Sequence, residues 1–267
     1  MTKPEEKIKK ENITEIFFDF NGGKRRVRVF VPDNNGEKLP VVYMTDGQNL
    51  FFEKDCVWGC WHTIEAVEEA MKNGFGGAVI VGIDHGEEKR DNELTPAGIG
   101  AVNCPEKMEH FTAPQGELFD DFMMNTVKPY VESRFNVKTG RQNTAVCGSS
   151  SGGLQAFFAG MEHPESFCAA GVFSPAMLLY SEDDIRAYVF RKLRPEMPYM
   201  YFYTGCGDEL EERIFKSTES TYDILTESGY PLDCLNEVVM LDYKHNEKAW
   251  AEIFRDFLQT FLSKTKE

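Results

Sequence analysis

The stretch AVCGSSSGGLQAFF, residues 145–158, sets three consecutive serines between glycines. An apolar run precedes the serines and an amphipathic run follows them, so the segment reads as strand, sharp turn and helix. Gly148-Ser149-Ser150-Ser151-Gly152 fits G-x-S-x-G in one register only, with Ser150 at the centre. In such an elbow the central residue is held strained at the tip of the sheet, and the flanking glycines let neighbouring backbone pass closely. Ser150 is therefore the candidate nucleophile. Ser149 is expected to point back toward the strand, while Ser151 opens the helix with its N–H facing the space before the Ser150 hydroxyl. A serine-glycine turn without chemistry can match by chance; the strand and helix in the correct order favour the elbow.

Outward from this point the chain alternates strand and helix patterns. ITEIFFDFNGGKRRVRVFVP predicts an N-terminal antiparallel hairpin about Asn21-Gly22-Gly23. KLPVVYMTDG and GAVIVGID read as buried strands, with the helix WHTIEAVEEAMKNG between them closed by Gly74. Residues 85–116 are polar, broken by Pro96, Pro105 and Pro114, and too long for an idle connection, which makes them a candidate binding loop. GELFDDFMMNTVKPYVESRF is an amphipathic helix with a kink expected at Pro129. CAAGVFSPA, YMYFYTG and LNEVVMLDY supply further strands, residues 177–197 read as a partly helical insertion over the active site, and NEKAWAEIFRDFLQTFL closes the chain as an amphipathic helix. The expected fold is a single α/β domain over residues 1–267, with a mostly parallel twisted sheet and helices on both faces.

Composition bounds the function. The chain of 267 residues carries 29 basic and 44 acidic side chains, a formal charge of −15, which disfavours nucleic acid and anionic membrane surfaces as partners. No apolar run approaches the roughly 18 residues of a membrane span. The charged N-terminus lacks the apolar core of a secretory signal, and the seven cysteines cannot all pair internally, so the expected compartment is the reducing cytoplasm. Cys56, Cys60 and His62 invite a zinc reading, but no fourth ligand stands at a recognisable spacing. With no phosphate-cradling glycine loop or dinucleotide fingerprint either, no cofactor is implied.

A serine hydroxyl needs a base, and in this kind of fold the order along the chain is serine, acid, histidine. His62, His85 and His110 precede Ser150, and His163 stands near a helix end in GMEHPESF, where it more often caps the helix. His245 remains, after a strand and before the last helix. The acid must lie between them; Asp208, just past the strand YMYFYTG, is chosen over its neighbour Glu209 and over Asp183 and Asp184 in the insertion. The oxyanion calls for two N–H donors: that of Ser151, and one from TDGQNLFF, where Gln48 follows the Gly47 turn. A plain turn with Gln48 exposed is the competing reading.

Taken together, VVYMTDGQNLFF, VIVGIDHGEEKRDNELTP, CGSSSGGLQAFFAGMEHPESFCAAGVFSPA, YTGCGDE and HNEKAWAEIF resemble the putative esterase family of α/β-hydrolases, which includes enterochelin esterase-like enzymes, feruloyl and acetylxylan esterases and antigen 85-like mycolyltransferases. The resemblance implies Ser150 as nucleophile, Asp208 as triad acid, His245 as base, and Gln48 with Ser151 as the oxyanion hole. Family members often carry methionine where Ser151 stands; only its N–H is used. Variable spacing after the glycine keeps Glu209 open. Arg90 and Glu93 of RDNELTP fall near the site in relatives, as rim residues or as an ion pair that orders the loop. The expected activity is a serine esterase acting on a small-molecule or carbohydrate ester, with feruloyl or acetyl groups favoured over a siderophore or over acyl transfer, and a catalytically silent hydrolase-fold binding protein as the non-enzyme alternative. Residues 97–116 and 177–197 are the expected pocket walls.

Overall fold

The computed structural model describes residues 5–9, 12–103, 108 and 110–265. Part of the proposed binding loop, at 104–107 and 109 with Pro105, lies outside them. Glu5–Lys9 (β1), Ile13–Phe20 (β2) and Gly23–Phe30 (β3) pair antiparallel. The β2–β3 turn places Asn21 and Gly22 at φ 48° and 79°, the left-handed pair that the Asn-Gly sequence accommodates. The hairpin is thus present, with β1 rather than β2 as the outermost strand.

The sheet continues through Val41–Met44 (β4), Val79–Ile83 (β5), Thr144–Ser149 (β6), Ala169–Phe173 (β7), Tyr199–Gly205 (β8) and Leu235–Met240 (β9). Its nine strands run in the order β1-β2-β3-β5-β4-β6-β7-β8-β9. β3 meets β5 antiparallel, and every pair from β5 to β9 is parallel. This is the α/β-hydrolase architecture.

Strand periodicity separates two cores. Val42, Met44, Cys147 and Phe173 face the helices Thr63–Lys72 (α1) and Glu247–Lys264 (α8), which contribute Val67, Phe254, Phe257 and Phe261. Val41, Tyr43, Val146 and Val172 face the other way, toward the remaining helices. Among these, Arg90–Glu93 (α2) is a short turn of helix within the long loop. Gly116–Phe122 (α3) and Lys128–Arg134 (α4) are joined by a π-helical turn over Met123–Val127. Pro129 has no N–H for the carbonyl four residues back and its ring crowds that carbonyl; the wider turn lies where the crowding falls.

Ser151–Glu162 (α5) follows the elbow, and Glu182–Lys192 (α6) occupies the segment expected as an insertion over the active site. Ile185, Tyr188 and Val189 of α6 are buried in the helical layer with Phe157 and Leu225, so this segment packs against neighbouring helices instead. Glu209–Glu227 (α7) is a 19-residue helix in a stretch to which the sequence reading assigned no element. Its buried stripe is Glu211, Ile214, Thr218, Thr221, Ile224 and Leu225. The spacing is helical, but half the stripe is polar, which hides the apolar periodicity.

The N-terminal hairpin is tied to the long loop by charge. Arg25 lies 2.9 Å from Glu93, both nearly inaccessible, and Asn21 donates to the same carboxylate at 3.0 Å. Removing one member leaves a buried charge unpaired, so Glu93→Ala is expected to cost about 3–5 kcal/mol of stability in urea denaturation, with Glu93→Gln milder because it keeps an acceptor. A Glu93→Ala chain as stable as the wild type would show that the pair does not hold the hairpin.

Candidate active site

Ser150 sits between β6 and α5 with φ 58° and ψ −125°, a region that side chains with a Cβ rarely occupy. Its N–H donates to the Phe173 carbonyl at 3.0 Å, and its own carbonyl accepts from Leu154 and Ala176 at 3.0 and 3.1 Å. The turn is possible because of its neighbours. A Cβ at Gly148 would come within 2.3 Å of the Gly152 carbonyl oxygen, and one at Gly152 within 2.2 Å of Thr45 Oγ1. The two glycines let the strand, the helix start and the end of β4 converge behind the serine.

His245 approaches from the loop between β9 and α8. Its Nε2 is 3.1 Å from Ser150 Oγ, and its Nδ1 is 3.0 Å from Glu211 Oε1. Glu211 is fully buried and its second oxygen accepts the Gly205 N–H at 3.1 Å, which fixes the carboxylate at the end of β8. The imidazole and Trp250 rings stand perpendicular with 4.9 Å between centroids, and the Trp250 N–H donates to Ser174 Oγ at 3.0 Å.

The carboxylate at the ring is therefore not Asp208. Asp208 is the N-cap of α7: Oδ1 accepts the Glu211 N–H and Oδ2 accepts the His245 main-chain N–H, both at 2.9 Å. Burial pushes its carboxyl up, but these two donors outweigh it and hold it below its ordinary value of 3.8. Glu209, the second candidate, is exposed on the first turn. The sequence held a usable signal: Asp208-x-x-Glu211 is the pattern of a helix start, which assigns the aspartate to capping and leaves the glutamate one turn on, facing inward.

Ser150 and His245 open onto a cavity of about 400 Å³ also lined by Asp46, Asn49, Arg90, Glu247 and all three tryptophans of the chain, Trp58, Trp61 and Trp250. No described residue of 97–116 or 177–197 lines it. Its walls come from the segment after β4, from Arg90 of the long loop and from the start of α8, while α6 packs on neighbouring helices. Arg90 grips Asp46 with two bonds, Nε to Oδ1 at 2.6 Å and a terminal nitrogen to Oδ2 at 2.8 Å. Burial opposes both charges, yet their mutual attraction prevails, raising the Arg90 pKa and lowering that of Asp46. Arg90 thus lines the cavity, whereas Glu93 is held away from it by Arg25. The two do not pair with each other. Burial, with Asp46 adding to it, raises the Glu247 carboxyl above its ordinary value.

Gln48 lies in a single 3₁₀ turn, Gly47–Asn49, and Ser151 is the first residue of α5; the N–H groups of first turns have no partner within their helix. The Ser151 hydroxyl is occupied by Asp91 Oδ1 at 2.9 Å, and the Gln48 side chain accepts the His85 N–H at 3.2 Å, so neither side chain is offered to the cavity. His163 is the C-cap of α5, bonded to Asp120 at 2.6 Å. Among the described residues no cluster of histidine, cysteine, aspartate or glutamate is arranged to hold a metal ion, and no helix is long and apolar enough to cross a membrane.

The esterase family described as "Putative esterase" matches residues 20–213. The chain is 31% identical over 151 residues, 52% of its length, to a siderophore triacetylfusarinine C esterase of Aspergillus fumigatus, covering 44% of that protein. It is 24% identical over 220 residues, 78% of its length, to an endo-1,4-beta-xylanase/feruloyl esterase of Xylanibacter ruminicola, covering 26% of it. The chain thus spans less than half the length of either relative. The structure of the siderophore hydrolase EstA from Aspergillus nidulans superposes with a TM-score of 0.72 at 22% identity, covering 94% of this chain and 95% of that one.

Because Asp208 caps α7 and holds the His245 main chain, Asp208→Ala is expected to lower stability by about 1 kcal/mol at neutral pH. Its folded pKa is depressed, so the contribution is present above 3.8 and lost as the pH falls through the folded value. Denaturation curves of the two chains should converge in that acid window; a gap that persists there would mean the charge contributes nothing.

Proposed function

Because the chain belongs to the Putative esterase family, we propose that it is a serine carboxylic-ester hydrolase working through an acyl-enzyme, with Ser150, His245 and Glu211 as its triad. The observation that carries this reading is the unbroken relay from Ser150 Oγ to His245 Nε2 at 3.1 Å and from His245 Nδ1 to Glu211 at 3.0 Å. His245 Nε2 takes the hydroxyl proton as Ser150 attacks the ester carbonyl, and Glu211 stabilises the imidazolium that forms. The N–H groups of Ser151 and Gln48 receive the oxyanion, that of Ser151 reinforced by the positive end of α5. His245 then protonates the departing alcohol. Water enters, gives its proton to His245, and releases the acid by the same steps in reverse.

For the substrate, three tryptophans around one small cavity favour a planar aromatic acyl group such as feruloyl, with acetyl esters accepted as smaller occupants. The alcohol is a carbohydrate in this reading. A siderophore ester is the second reading, supported by the relative from Aspergillus fumigatus. We take the compartment to be the cytoplasm, which the free thiols at Cys56, Cys60, Cys147, Cys168, Cys206 and Cys234 support. Rates on methyl ferulate, acetylated xylan and ferric triacetylfusarinine C separate the substrate readings.

Ser150→Ala is expected to abolish hydrolysis of p-nitrophenyl acetate and labelling by a fluorophosphonate. Glu211→Gln should lower kcat by about 10³–10⁴, and Asp208→Asn by roughly 10-fold to 100-fold through a loosened His245 loop. An inverted order of those two losses would return the acid role to Asp208.

A further inference from the structure

One charge of the catalytic cavity has no counter-ion. Asp46 and Arg90 neutralise each other through two bonds, and the imidazole of His245 is committed to Ser150 and Glu211. Glu247 lines the same cavity at 4% exposure, and among the described residues its side-chain donor is a neutral one, the Asn49 amide at 3.3 Å. As the first residue of α8, Glu247 stands at the positive end of an 18-residue helix, which favours its ionised form. A carboxylate buried without a cation is costly to the fold, and a cation entering the cavity relieves that cost.

The walls suit the same guest. Trp58, Trp61 and Trp250 line the cavity with indoles, whose faces attract a cation more strongly than those of the other aromatic side chains. The rings are fixed before any ligand arrives: Trp61 stacks on Phe173 and Trp58 on His85, each at 5.6 Å, and Trp250 is tied to Ser174. Arg90 lies over the Trp58 ring at 5.6 Å, so one cation of the chain already uses this wall. The formal charge of −15 draws cations toward the molecule. A neutral hydroxyl would satisfy one lone pair of Glu247 and leave its charge, and an alkyl group would desolvate it further.

We propose that the acyl group of the ester carries an organic ammonium, and that Glu247 selects it from among the three indoles. The proposal rests on the reading of this cavity as an ester-hydrolase site and narrows it, adding a positive charge to the planar shape that the tryptophans admit. Glu247 acts on the choice of substrate. The proton transfers stay with Ser150 and His245.

The test compares esters matched in size that differ in charge: methyl p-(aminomethyl)cinnamate with methyl p-ethylcinnamate, and methyl ω-aminohexanoate with methyl heptanoate. In the wild type, kcat/KM for the ammonium ester should exceed that for its neutral partner roughly tenfold in at least one pair, the size of one charge-assisted hydrogen bond. Glu247→Gln should remove most of that preference, and Glu247→Asp, which keeps the charge, should retain part of it. Both rates fall together if a substitution merely loosens the fold, so the ratio reports selection alone. A wild type without preference for the ammonium in either pair overturns the proposal, as does a ratio that Glu247→Gln leaves unchanged. If the wild type cleaves none of the four esters, calorimetric titration with phenyltrimethylammonium decides. Saturable binding that Glu247→Gln weakens upholds the cation site and rejects the esterase reading; absence of binding, or binding indifferent to the substitution, rejects the cation site.

Discussion

The left-handed backbone at Ser150 is the constraint from which the site is built. Such a conformation costs about 1–3 kcal/mol for a residue with a side chain, and it persists only where the surroundings over-determine it. Here the Phe173 carbonyl holds the Ser150 N–H from β7, while Ala176 and Leu154 hold its carbonyl from two further directions. Gly148 and Gly152 admit Thr45 and the helix start into contact distance. Relaxing the turn would break bonds to three elements at once. The same turn aligns α5 so that its free N–H groups and the serine hydroxyl face one space, and it fixes the point over which His245 closes.

The charged groups around that point act at different levels. Glu211 holds the imidazole ring and Asp208 holds the main chain of the same residue, although both carboxylates arise from one turn of α7. Asp46 and Arg90 neutralise each other at the cavity wall, which leaves Glu247 as the acid there without a bidentate cation. Further out, Arg25 and Glu93 bind the hairpin to the loop that carries Arg90. The pairs thus form a series running from the N-terminal hairpin to Ser150 and His245.

The elbow, the parallel strands and His245 were legible in the sequence because each depends on local pattern and chain order. Apolar runs of β4 to β8 leave little ambiguity, and of the histidines after Ser150 only His245 stands between a strand and the last helix. The structure sets Glu211 rather than the expected Asp208 at the His245 ring, and for a definite reason. α7 buries two threonines and a glutamate in its inward stripe, so its helical period is masked, and without the helix Asp208 looks like a loop carboxylate rather than a cap. Among the described residues the long polar loop gives the cavity Arg90 but none of 97–116, and the indoles Trp58 and Trp61 come from a short segment after β4 that no binding pattern marks. Which loop folds over an active site is decided by tertiary packing, which no local pattern records.

Because the three indoles of the protein all border one cavity, its tryptophan emission responds to what occupies that cavity. Trp61 and Trp250 are 2% and 5% exposed and Trp58 is 60% exposed, so a blue and a red component should coexist. An occupant that expels solvent from Trp58 will shift the red component while the other remains as an internal standard. The molecule thereby carries its own optical probe of occupancy, without any label.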